Sequence, residues 1–156
     1  MKRLLVISAA WLAILPAIAQ APQQIVVWKS ADLKAYAATL APKINAQKFA
    51  SQPLANFGFY NTQVAYREGS GEAEYHENAA DLMVIQTGVC TLILGGTING
   101  GRTAAPGEIR GTSIEGGNSF TVGPGDIIHI PPKTPHQMVL PAGGQITYFV
   151  VKEISR

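Results

Sequence analysis

Gly125-Asp126-Ile127-Ile128-His129-Ile130-Pro131-Pro132-Lys133-Thr134-Pro135-His136 is the stretch whose reading decides the fold of this 156-residue chain. Ile127, Ile128 and Ile130 favour a pleated strand, and the prolines at 131, 132 and 135 cannot donate to a sheet ladder, so that strand stops at residue 130. A second strand then opens at His136. Side chains alternate along a strand, which sets His129 opposite Ile128 and Ile130 but leaves open which face lines an interior.

The same punctuation governs everything after Phe57, where short β-branched, aromatic and aliphatic runs alternate with Gly, Pro and Asn turns. It predicts strands at about 63–67, 74–78, 81–86, 90–94, 119–122, 127–130, 136–140 and 145–152. The body is therefore all-β, and many short strands at this spacing are best accommodated by an antiparallel barrel or jelly roll, which protects sheet edges. Residues 97–117 are the least regular stretch, with Gly100-Gly101, Pro106-Gly107 and Gly116-Gly117. They read as a long mobile loop, either covering a pocket or decorating a hairpin.

Upstream, Ile25 to Trp28 reads as a short edge strand. Ser30 then offers an N-cap with Asp32 in the first turn, and Leu33, Ala37 and Leu40 recur at helical spacing before Pro42. One amphipathic helix over 31–41 is expected outside the barrel. Further upstream, Met1-Lys2-Arg3 precedes an apolar run from Leu4 to Ala19, and Ala17-Ile18-Ala19 places small residues where a signal peptidase cuts. Sixteen residues interrupted by Pro16 are short for a bilayer span of roughly 20. The expected organisation is a signal peptide over 1–19, an N-terminal extension with its helix over 20–62, and a barrel domain over 63–156. The expected location is exported, periplasmic or secreted, with no stable membrane insertion after cleavage.

The chain is 47% hydrophobic and 14% charged, a core-forming balance. Its formal charge of +2 rests on Lys2 and Arg3 in the leader; without them acidic and basic residues are equal in number. Neutrality and the lack of any Lys/Arg run exclude nucleic acid as a partner. The single cysteine, Cys90, lies in the apolar run Val89-Cys90-Thr91-Leu92-Ile93-Leu94 and reads as a small core residue.

Polar residues cluster around the histidines. In Tyr75-His76-Glu77-Asn78, alternation places His76 and Asn78 on one face and turns Glu77 to solvent. Asp81, Met83 and Ile85 share a face, with Leu82 and Val84 opposite, so Asp81 begins a buried strand. A buried carboxylate requires a partner. Met138 points with His136, and Gln137 points away. Met83, Ile85 and Met138 would together form an apolar pocket floor.

These residues resemble the cupins, whose first motif is G-x5-H-x-H-x3-4-E-x6-G and whose second is G-x5-P-x-G-x2-H-x3-N. Gly125, Pro131 and His136 stand at the separations of the second motif, with Lys133 in place of its later Gly and Leu140 in place of its Asn. In the first motif His76 takes the first histidine position, Asn78 the second, Asp81 the glutamate position, and Gly88 follows Asp81 after six residues. On that alignment the step from Asn78 to Asp81 is one residue short. The resemblance spans about residues 66–152. It implies a small cupin barrel of jelly-roll type and a divalent transition metal, Fe, Mn, Ni, Co or Zn, held by His76, Asp81 and His136 with Asn78 beside them. Two histidines and one carboxylate with open positions suit non-haem Fe(II) chemistry among others. Asp is shorter than Glu by one bond of about 1.5 Å, which leaves room for water.

Fold alone does not choose a function. Two readings stand: a metal-dependent enzyme of oxygenase, isomerase or lyase class acting on a small organic molecule, and a binding module that has lost its metal and holds a small ligand without turnover. Arg102 and Arg110, in the 97–117 region, either meet an anionic group of that molecule or are solvated. A homodimer is left open.

Overall fold

The computed structural model describes residues 25–154; the expected leader, 1–19, lies outside the described residues. The chain runs through helix α1 (Ser30–Leu40) and a single 3-10 turn at Ala41–Lys43. Thirteen strands follow: β1 (Phe49–Asn56), β2 (Tyr60–Arg67), β3 (Ala73–His76), β4 (Ala79–Gly88), β5 (Cys90–Leu94), β6 (Thr97–Asn99), β7 (Arg102–Ala105), β8 (Glu108–Gly111), β9 (Ser113–Glu115), β10 (Asn118–Val122), β11 (Ile127–Ile130), β12 (His136–Val139) and β13 (Ile146–Ile154). They form a five-stranded sheet in the order β1-β2-β13-β4-β11, a six-stranded sheet in the order β10-β5-β12-β3-β8-β7, and a small β6-β9 ribbon. The ladders are antiparallel. The all-β class, with one short helix outside, is as the sequence predicts.

The two large sheets enclose a core contributed by alternate residues of each strand. Met83, Ile85, Ile128, Tyr148 and Val150 come from the five-stranded sheet and Cys90, Leu92, Val122 and Met138 from the six-stranded one. On the outer side of the five-stranded sheet, Leu33 and Leu40 of α1 pack with Ala50, Val64 and Tyr66. Strand β2 thus serves two cores, because period-2 alternation sends Val64 and Tyr66 to the helix and Ala65 and Arg67 to the interior. Among the described residues no helix is long and apolar enough to cross a membrane.

Four local expectations change. Residues 25–29 carry no strand; the sheet instead begins at β1, which accommodates Pro53 because it is an edge strand with a register shift between Pro53 and Ala55. The helix N-cap is Lys29, and the Ser30 hydroxyl approaches Gln86 Oε1 at 3.5 Å. The stretch 97–117 contains four strands, β6 to β9, of which β8 pairs with β3 and β7 with β8. Its glycines are strand punctuation: Gly107, at φ +74°, turns β7 back into β8. Finally, β3 ends at His76, so Glu77 and Asn78 form the turn into β4.

Candidate metal centre

Strand register assembles the site. On the six-stranded sheet His136 of β12 lies opposite Glu74 of β3, Glu74 lies opposite Arg110 of β8, and His76 lies opposite Glu108. On the facing sheet Asp81 of β4 lies opposite Lys152 of β13. Directly opposed residues on one face of a sheet are side-chain neighbours, so two rows of titratable groups meet across the barrel. The His76 and His136 rings lie 5.2 Å apart between centroids, although the two residues are sixty positions apart in sequence. His76, Asp81 and His136 are each 3% exposed, which puts them beyond bulk water.

Each imidazole is oriented by its Nδ1. His76 Nδ1 donates to Glu108 Oε2 at 2.5 Å, and His136 Nδ1 donates to the Thr134 carbonyl at 3.0 Å. A proton fixed on Nδ1 leaves the lone pair on Nε2, and both Nε2 atoms point inward. His76 Nε2 lies 3.2 Å from Asp81 Oδ2 and 3.7 Å from Glu74 Oε2; His136 Nε2 lies 3.6 Å from Asp81 Oδ2. One ligand atom from each of Glu74, His76 and His136 falls within 4.8 Å of the others. His136 Nε2 is buried with no hydrogen-bond partner. Burial pushes the His136 imidazole below its usual pKa against the pull of Glu74, the Thr134 carbonyl and Asp81, a shift toward the neutral form that a ligand requires. An unsatisfied inward nitrogen beside a second imidazole and two carboxylates fits a transition metal of the imidazole-binding kind.

Lys152 completes the cluster. Its Nζ lies 2.9 Å from Asp81 Oδ1 and 2.9 Å from His76 Nε2. Burial raises the Asp81 carboxyl, but the neighbouring His76 imidazole and the Lys152 ammonium outweigh it and hold the group at about 2. Around this centre Glu74 bridges Arg67 and Arg110, each at 3.3 Å, and Arg110 also reaches Glu108 at 3.1 Å. Arg67 in turn donates through Nε to the Tyr148 hydroxyl at 3.0 Å and lies over the Phe49 ring. A cavity of about 740 Å³ opens beside the cluster, and Glu74, Arg67, Arg110 and Lys152 line it together with Gln63 and Glu72.

The positions expected from sequence separate into two groups. His76, Asp81 and His136 come together; Asn78 is exposed in the β3–β4 turn next to Gly107, because the strand stops two residues before it. The sequence pattern does not single out Glu74, Lys152, Glu108 or Arg67. Glu74 is nonetheless legible by the same alternation that pairs His76 with Asn78, since i−2 shares a face as surely as i+2. Met83, Ile85 and Met138 pack in the core rather than lining the cavity, whose wall is polar. His129 is exposed on β11, opposite Leu82. Arg110 joins the site, whereas Arg102 is an exposed partner of Glu72 at 2.9 Å.

Solved structures share this architecture. A protein of Thermus thermophilus, TT1209, superposes with a TM-score of 0.52 at 14% identity, over 72% of this chain and 90% of its own. A cupin-2 domain protein from Rhodospirillum rubrum superposes at 0.51 with 18% identity, over 70% of this chain and 62% of its own, under two thirds of that protein. The chain has the cupin fold. A Streptomyces protein, PAC13, solved with uridine, gives 0.51 at 10% identity over 72% of this chain and 74% of its own. No protein-family model matches the sequence, and no curated protein is significantly similar to it.

In cupin terms the structure shifts the first motif by two residues. Glu74 and His76 share the inward face of β3 as the paired histidines of the motif do, Asp81 follows His76 after four residues, and Gly88 follows Asp81 after six. The missing residue before Asp81 disappears on this alignment. In the second motif Lys133 adopts φ +64° where the pattern has glycine, so the left-handed turn survives the change of residue.

Proposed function

We propose that this cupin is a divalent-metal enzyme acting on a small polar molecule held in the cavity beside His76 and His136. The observation that carries the reading is the buried, unpartnered Nε2 of His136 converging with His76 Nε2 on Glu74 and Asp81. His76 and His136 would hold the ion with one or both carboxylates; Fe, Mn, Ni, Co and Zn all accept such a set. When bound, the ion supplies Lewis acidity toward an oxygen of the substrate or toward water. Glu108 and the Thr134 carbonyl hold the imidazoles in the ligating tautomer, and the Met138 and Tyr148 side of the core excludes water from beneath. Arg67, Arg110 and Lys152 in the cavity wall orient polar groups of the substrate. Oxygenase, isomerase and lyase chemistry all use such a centre, and the polar wall favours a hydrophilic substrate over the partly apolar one suggested by sequence.

Metal analysis of protein purified without chelator or affinity histidines tests this reading. Near-stoichiometric metal is expected, lost in His76→Ala and in His136→Ala. Wild-type protein that takes up none of the five ions would instead support the second reading, a metal-free ligand-binding module. That reading draws on Lys152, whose ammonium already satisfies Asp81 and His76. The N-terminal pattern Lys2-Arg3, apolar run, Ala17-Ile18-Ala19 supports export to the periplasm or medium, where N-terminal sequencing is expected to start at Gln20. Full-length protein confined to the cytoplasm would refute export.

A further inference from the structure

Lys152 stands at the boundary between the buried cluster and the cavity. Its backbone register against Asp81 sends the side chain inward, and the ammonium meets both Asp81 Oδ1 and His76 Nε2 at 2.9 Å. Because the Nδ1 proton of His76 is committed to Glu108, the Nε2 atom accepts from Lys152 through its lone pair. That lone pair is the one a metal would need. One nitrogen lone pair cannot bond an ammonium and a divalent cation together, and the two cations repel at that distance. Yet the neighbouring His136 Nε2 is left without a partner, so the ammonium satisfies only half of the paired imidazoles. The side chain is 24% exposed and lines the cavity, which gives its flexible stem a polar, solvent-connected space to move into.

We propose that Lys152 is a tethered cation that holds Asp81 and His76 in the metal-free protein and is displaced into the cavity when a divalent ion binds between His76 and His136. The inference rests on the metal-centre reading above. It makes the free protein stable without its ion, since Asp81 is never left as an uncompensated buried charge. It also makes the ion's apparent affinity lower than its intrinsic one, because only the fraction of molecules with Lys152 withdrawn can bind. Displacement delivers an ammonium to the cavity wall at the moment the metal arrives, so cofactor loading prepares the wall to receive a substrate.

Two measurements on the full chain test it. Metal-free wild-type protein is labelled with an amine-acetylating reagent with and without saturating Zn(II), and acetylation of Lys152 is quantified by peptide mass spectrometry against Lys34 on the exposed face of α1. Acetylation of Lys152 is expected to rise several-fold on metal binding while Lys34 stays constant. In parallel, Zn(II) is titrated calorimetrically into wild type and Lys152→Met; if the ammonium occupies the site roughly nine-tenths of the time, the variant binds about tenfold more tightly. Tighter binding by Lys152→Met with unchanged wild-type labelling would mean a fixed ammonium acting by charge alone, and overturns displacement. Equal affinities and equal labelling with zinc bound leave the metal centre standing and overturn the role of Lys152. If neither protein binds zinc, nor Fe(II), Mn(II), Ni(II) or Co(II) in the same titration, the metal-centre reading falls and this inference with it. Should Lys152→Met fail to fold, wild-type labelling decides.

Discussion

Lys133 carries a backbone angle that an L side chain rarely adopts, φ +64°, and its N–H is fixed to the His76 carbonyl at 2.7 Å. The left-handed region costs a residue with a Cβ about 1–2 kcal/mol, so Lys133→Gly relieves strain, partly offset by the greater freedom of glycine in the unfolded chain. A net gain of about 0.5–1 kcal/mol is expected, read as a Tm rise of roughly 2–4 °C; a lower Tm would show that the lysine is better accommodated than its angle implies. Glu108 presents a different case, since it is not placed to hold the ion itself and acts on the site through His76 Nδ1 and through Arg110. Partners of this kind typically affect metal affinity by about 10–100-fold. Glu108→Gln keeps an acceptor but loses the charge, and is expected to weaken metal binding toward the lower end of that range with the metal-free Tm nearly unchanged. A fall in Tm without a change in metal affinity would mark Glu108 as structural. The sequence made His76, Asp81 and His136 legible because buried polar residues at strand ends stand out. Glu74, Glu108 and Lys152 were not legible, because each is an ordinary charged residue until register sets it opposite a histidine or an aspartate.

At the scale of elements, Gly88 closes β4 at φ +81°, and a Cβ there would collide with the Gln145 carbonyl and the Ile146 Cα of β13. The neighbour is backbone paired in the sheet and cannot give way. Gly88→Ala is therefore expected to destabilise by at least about 2–3 kcal/mol in urea unfolding; a loss under about 0.5 kcal/mol, ordinary for a surface change, would mean the hairpin adjusts freely. Seven strands were readable from the chain: β5 and β11 fall where the apolar runs place them, and β2, β4, β10, β12 and β13 within a few residues. β1 was hidden because Phe49 to Asn56 mixes proline with polar residues, as an edge strand tolerates. β6 to β9 were hidden because three- and four-residue strands between glycines bear no periodicity long enough to detect. That second omission bears directly on the site, since β8 supplies both Glu108 and Arg110.

On the scale of the whole molecule, the sheets divide the interior into an apolar half and a charged half. The apolar half holds Cys90, whose thiol burial pushes up to about 11 against the pull of Arg67. The charged half opens to the cavity, where Arg67, Arg110 and Lys152 face Glu72 and Glu74, with Asp81 and Glu108 just behind. In the metal-free protein these charges compensate one another through the pairs already described. A divalent ion adds two positive charges and engages carboxylates that now neutralise the arginines and the lysine, so the loaded wall becomes electropositive and suits a small carboxylate. Binding free energies are reciprocal: if loading with metal strengthens carboxylate binding, the carboxylate strengthens metal binding by the same factor. Zn(II) titrated in the presence of saturating succinate, corrected for the zinc that succinate binds in solution, is expected to bind at least about fivefold more tightly, within the usual span of coupling energies. Arg110→Met, which removes a cavity cation without touching either imidazole, is expected to abolish most of that gain. Metal affinity indifferent to succinate in the wild type would mean that the cavity charges stay internally paired with the ion in place, and that the molecule this barrel receives is neutral.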